Sequence, residues 1–184
     1  VGSMISMALC PLLIKKLNER NAYILLSVYG FAASVFSFVI GHFWFQSPKN
    51  MVLTVLFYAS LFLIGLQFGA VTLMPMIMTA DTVDYYEHET GKRMEGACYS
   101  ILTLTIKVCL ALGTAVGLIF VQKSGYYESL SAGTFTTKTK DIIFFAYTAL
   151  PGILALLSIV PMFKYDIVGE KKAKISSDLA SRRK

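Results

Sequence analysis

Lys107 stands in the run Ile101-Leu-Thr-Leu-Thr-Ile-Lys-Val-Cys-Leu-Ala-Leu112, with about ten apolar-rich residues on either side. A helix rising 1.5 Å per residue puts it about 15 Å deep, near a bilayer midplane. Inserting an ammonium there costs on the order of 3 kcal/mol, so the group must face a helix-bundle interior or a watery cavity and wants a counter-ion. The chemistry this points to is an ion or substrate pathway; the plainer reading is a structural lysine bonded to backbone carbonyls. Tyr99 and Thr103 precede it at spacings of four and share one side of the helix. A phenol, a hydroxyl and an ammonium in line can hydrogen-bond a sugar, and the same stripe can also serve as a polar packing face.

No carboxylate in the sequence lies at that depth. Asp81, Asp84, Glu87, Glu89 and Glu95 cluster in Ala80-Asp-Thr-Val-Asp-Tyr-Tyr-Glu-His-Glu-Thr-Gly-Lys-Arg-Met-Glu-Gly96. Glu128 and Asp141 fall in a loop on the opposite side. A charged Lys107 is therefore expected to take its partner from another bundle. Within the cluster, Asp81 and Asp84 are three apart and share a helical face, while Lys92 and Arg93 follow Gly91. These acids begin where a helix is still leaving the membrane, which is costly unless they are paired. Asp81, Asp84, Glu87 and Arg93 are accordingly read as a charge network that gates this side. Catalysis and metal binding are set aside, because no nucleophile–base pair appears and Cys10, Cys98 and Cys109 form no CxxC pair. His88 reads as a loop histidine and His42 as an interfacial one beside Trp44 and Phe45.

The elements that must position these residues are membrane spans. Mean hydropathy is +0.62, 55% of residues are hydrophobic and 15% are charged, where a soluble domain carries about a quarter. Four runs are long enough to cross a bilayer: 22–45, 51–80, 97–121 and 142–163. A shorter run, 4–14, reads as the end of a truncated fifth span. The chain begins at Val1, with no cleavable signal peptide. Of 17 basic residues, those of the 15–20 stretch, the 92–93 loop and the 164–184 tail fall on one side, and this excess marks that side as cytoplasmic. The C-terminal basic tail is then cytoplasmic and Val1 external. The net charge of +6 thus reflects topology, and no nucleic-acid partner is expected. Gly65/Gly69 and Gly113/Gly117 offer GxxxG packing faces, and Pro75, Pro151 and Pro161 should kink their helices.

Taken together, Ala80-Asp-Thr-Val-Asp-Tyr85, Gly91-Lys-Arg-Met-Glu-Gly96, Tyr99-Ser100, Lys107 and Lys123-Ser-Gly-Tyr126 resemble the glycoside–pentoside–hexuronide:cation symporter family, the melibiose-permease-like branch of the major facilitator superfamily. The resemblance implies an all-α polytopic bundle, of which residues 1–184 form a partial C-terminal half: the last four helices and the end of the one before. It implies a lipid bilayer setting in the cell membrane, a sugar or glycoside substrate, a coupling cation (Na⁺ or H⁺) and no other cofactor. The family's cation-binding aspartates and main sugar-gripping residues belong to an N-terminal transmembrane bundle absent from this chain. By position, Lys107 corresponds to the lysine beside the cation and sugar sites, Thr103 to a polar residue facing the sugar, and Asp81, Asp84 and Arg93 to the cytoplasmic charge network. Pro11-Leu-Leu-Ile-Lys-Lys-Leu-Asn-Glu-Arg20 is similar to the superfamily's inter-helix loop, with Asn18 and Asn21 where Asp and Gly are common.

The function expected is secondary active sugar transport by alternating access. The rivals are a superfamily relative carrying lipid or drug-like cargo, favoured by an apolar cavity, and a non-transporting membrane scaffold, in which Lys107 would serve assembly only.

Overall fold

The computed structural model describes residues 2–182. Val1, on which the external N-terminus rests, and Arg183 and Lys184 of the basic tail lie outside them. Every element among the described residues is a helix: α1 Gly2–Gln46, α2 Met51–Thr90, α3 Glu95–Lys123, α4 Tyr126–Ala132, α5 Thr137–Tyr147, α6 Ala149–Leu157, α7 Ile159–Met162 and α8 Gly169–Arg182. Four helical stretches are long and apolar enough to cross a membrane: α1, α2, α3 and the α5–α7 series.

The polar stretch between the first two apolar runs is helical on both sides of one residue. Asn18 alone is non-helical, at φ 61° and ψ 161°. Lys15, Lys16, Glu19 and Arg20 are all good helix formers, so charge here does not unwind the chain. The two arms of α1, 2–17 and 19–46, fold back on each other and both lie on α2. A Cβ on Gly2 would sit 2.9 Å from the Phe62 carbonyl oxygen, and one on Gly30 would enter the Gln67 side chain. Where Ser3 crosses Gly69, backbone meets backbone, and a glycine Cβ would collide with the Ser3 carbonyl. Farther along, Cys10, Ala22, Ala70 and Met74 form a buried cluster between the arms and α2.

Asn50 caps α2, its side chain accepting from the Val52 and Leu53 amides. The helix then runs unbroken through Pro75 to Thr90, ten residues past the apolar run, so the acidic cluster is helical and His88 stands on a helix. Gly91 ends it at φ 69°, a left-handed conformation that glycine adopts freely. The last span is cut in two places: α5 ends at Tyr147 and α6 at Leu157. Each lies four residues before a proline, Pro151 and Pro161, whose missing N–H leaves that carbonyl unbonded. Pro75 produces no such break.

The end of the bundle away from α8 is aromatic. Trp44 stacks on Phe57 with ring centroids 4.5 Å apart and donates to Thr54 Oγ1 at 3.0 Å. Phe45 and Phe57 both meet the Phe144 ring. His42 is tied in as well, its Nδ1 2.9 Å from Asp141 Oδ2 and its Nε2 2.8 Å from the Gln46 amide.

Candidate functional site

α3 differs from every other long helix: none of its residues is buried. It meets α2, α5 and α4. Gly113 and Gly117 have nothing within 4 Å of where a Cβ would stand, so this GxxxG packs against no part of the described bundle, unlike Gly65 and Gly69. Lys107 is exposed on this helix; the buried or cavity-facing position expected from its depth is not provided by these residues.

One open groove runs along α3, lined by Gly96, Tyr99, Ser100, Thr103, Leu104 and Lys107. The spacings of three and four gather them on one side. Ser100 and Thr103 donate their hydroxyl protons to the backbone carbonyls of Gly96 and Tyr99, at 2.7 and 2.8 Å. Each oxygen thereby keeps its lone pairs free and turned outward, as an acceptor. The Lys107 ammonium has only donors to offer. Along the helix the groove therefore presents a donor at Lys107 and acceptors at Thr103 and Ser100, a set suited to hydroxyl groups or to a carboxylate–hydroxyl pair.

The four residues read as one charge network divide into two groups. Arg93 holds the first. Its Nη1 lies 2.8 Å from Glu87 Oε2 and 3.2 Å from Asp84 Oδ1, and its Nε lies 3.1 Å from Glu95 Oε2. Glu87 and then Glu95 push the guanidinium still further into its charged form. This clip is exposed and bridges the end of α2 to the start of α3.

Asp81 belongs to the second group, which is nearly buried. Glu19, beside the Asn18 turn, and Asp81 are 6% and 8% exposed. Between them lies the ammonium of Lys172 from α8, 2.6 Å from Glu19 Oε1 and 2.8 Å from the Asp81 carboxylate. Burial works against the charged lysine, yet the bonds to Asp81 and Glu19 outweigh it and raise its pKa. Tyr165 reaches Asp81 at 3.4 Å, and burial together with the negative charge of Asp81 drives its phenol well above the usual range. Around the ion group, Ile167, Ile175 and Leu179 pack with Tyr85 and Tyr165. His88 Nε2 meets Asp178 at 3.1 Å, and Arg182 donates to the His88 carbonyl at 3.1 Å. Sequence reasoning left out Glu19, Lys172, Tyr165 and Asp178. The only signal in the sequence was the apolar pair Ile175 and Leu179 at a spacing of four in a basic tail.

No group of three or more metal-ligating side chains occurs among the described residues. A family model described as MFS/sugar transport protein matches residues 1–169. The Glucuronide carrier protein homolog of Escherichia coli K12 is 24% identical over 187 aligned residues, which cover 100% of this chain and 38% of that protein. The inner membrane symporter YicJ of the same organism is 31% identical, over 69% of this chain and 27% of its own length. An uncharacterized 29.9 kDa protein of Pseudescherichia vulneris is 28% identical, over 81% of this chain and 53% of its own. The chain thus spans about half or less of the curated relatives it matches. No solved structure matches it significantly.

Proposed function

Because this chain belongs to the MFS/sugar transport protein family, we propose that it forms the C-terminal part of a symporter that moves a sugar or glycoside together with Na⁺ or H⁺. The membrane setting follows from the family and from the four apolar spans. Relatives named as a glucuronide carrier homolog, a putative sulfoquinovose importer and a putative glycoside/cation symporter support the cargo class. The observation that carries the reading is the α3 groove, where a membrane-depth ammonium shares one unburied face with Thr103 and Tyr99.

In the proposed mechanism the groove of α3 faces a second, N-terminal bundle across a central cavity. Carboxylates of that bundle bind the coupling cation and pair with Lys107 in alternation. Cation binding releases the ammonium from its carboxylate, so that it donates to the sugar while Thr103 accepts from a sugar hydroxyl. Neither ligand alone removes all the unpaired groups, and this couples the two. The bundles then rock about the filled site, with the charged end and its basic tail on the cytoplasmic side.

The test is Na⁺- and pH-dependent uptake of labelled α- and β-glycosides by cells expressing the full reading frame, with Lys107→Ala alongside. Uptake driven by an ion gradient and lost in the variant supports the reading. Coupled uptake that survives in Lys107→Ala removes the lysine from the mechanism. An inserted, folded protein that takes up no glycoside points to other cargo or to a scaffold.

A further inference from the structure

Asn18 is the only non-glycine residue with positive φ among those described. At φ 61° and ψ 161° it lies outside the left-handed helical pocket that asparagine tolerates, in a region that is essentially glycine's. Such a conformation persists only where its surroundings hold it. The residue that follows it, Glu19, is nearly buried and its carboxylate is bonded to Lys172, 153 positions away in sequence. The same ammonium is bonded to Asp81 on α2. One side chain of α8 thus joins the strained turn of α1 to α2. The rest of α8 is anchored separately, by Ile175 and Leu179 in their apolar seat and by Asp178 and Arg182 at His88.

We propose that α8 is a conformational strap: while Lys172 sits between Glu19 and Asp81, the two arms of α1 are locked in their folded-back arrangement, and when α8 lifts, the Asn18 turn relaxes and the first arm is free to shift along α2. The contact that would slide is the one least obstructed by side chains, Gly2 and Ser3 over Gly65 and Gly69. The basic helix thus reports to the packing of α1 through Lys172 and Glu19.

Hydrogen exchange of the intact protein in lipid nanodiscs tests this, comparing wild type with Lys172→Met, Asn18→Gly and the double variant. Lys172→Met keeps the apolar stem and removes the charge. Loss of the strap is expected to raise exchange about tenfold or more across residues 15–22. In the Asn18→Gly background the same substitution should change exchange there far less, because glycine holds the turn without help. Exchange that rises in α8 alone, or by the same factor in both backgrounds, overturns the proposal. If Lys172→Met does not fold, Lys172→Arg and a chain ending at residue 168 take its place. The first must keep the turn protected and the second must expose it; any other pairing overturns the strap.

Discussion

The ammonium of Lys172 lies between two nearly buried carboxylates, whereas that of Lys107 meets no acidic group among the described residues. Both are lysines of one chain read as crossing a membrane, and their surroundings assign them different work. At the charged end, each cation of Lys171, Lys172, Arg93 and Arg182 already has an oxygen partner. On α3 the serine and threonine hydroxyls donate to their own helix, whereas the Lys107 ammonium has no acidic partner among the described residues. A paired charge holds structure; under the proposed mechanism the unpaired one on α3 is the one that meets cation-binding carboxylates and sugar in turn.

The sharpest way to break this contrast is to remove each lysine in turn. Lys107→Ala is expected to lower glycoside uptake, as kcat/KM, by roughly 10–100-fold, the loss of one or two charge-assisted hydrogen bonds. It should leave thermal stability of the purified protein unchanged, since nothing in the described structure leans on it. Lys107→Ala that lowers the melting temperature by several degrees would place the lysine in packing instead.

The next effect belongs to the buried seat. Asp81→Ala leaves Lys172 with Glu19 as its single carboxylate partner and opens a space beside the ammonium. An expected loss of about 1–3 kcal/mol is already reduced for the solvent that reaches the lysine. A melting curve in detergent reads it, and uptake at a permissive temperature should fall less than in Lys107→Ala. Uptake lost with stability intact would move Asp81 to the transport side of the comparison.

The glycine pairs sharpen the comparison a third way. Gly69→Ala drives a methyl into the Ser3 carbonyl, backbone against backbone, and should cost roughly 1–3 kcal/mol. Gly113→Ala meets open space and should be neutral for stability. If Gly113→Ala instead abolishes uptake with stability unchanged, the face of α3 is closely packed by the second bundle during the cycle.

The four spans were legible because a bilayer-length apolar run is a property of local sequence. The run 97–121 became α3 Glu95–Lys123 nearly residue for residue. Pro151 and Pro161 marked real breaks, one turn upstream, for the reason their missing N–H supplies. The Asn18 turn was hidden, because its polar flanks read as a loop while their side chains favour helix. The helix α2 continues ten residues past the apolar run 51–80, as nothing between Asp81 and Thr90 stops a helix until Gly91. The stripe of Tyr99, Thr103 and Lys107 needed only the helical repeat to be seen. The Glu19–Lys172–Asp81 group needed three segments brought together in space, and no spacing encodes a pair 153 positions apart.

The smallest effects come from the exposed ion pairs that surround the buried seat. Arg93 stays charged at any working pH, its pKa raised by Glu87 and Glu95, so its clip should respond to salt and hardly to pH. Arg93→Gln is expected to shift stability slightly at low ionic strength and not at all in concentrated salt. Acid acts instead on Lys171 and Asp166, 2.5 Å apart, where the lysine holds the carboxyl below its ordinary value. A depressed carboxyl stabilises the fold at pH above its unfolded value and ceases to as pH falls through the folded one. Asp166→Asn should therefore flatten the acid limb of the stability profile slightly below pH 3.8, the ordinary value for this group. An acid limb unchanged in Asp166→Asn would mean that this clip adds nothing to the strap, and that α8 is held by Lys172, its apolar seat and the contacts at His88.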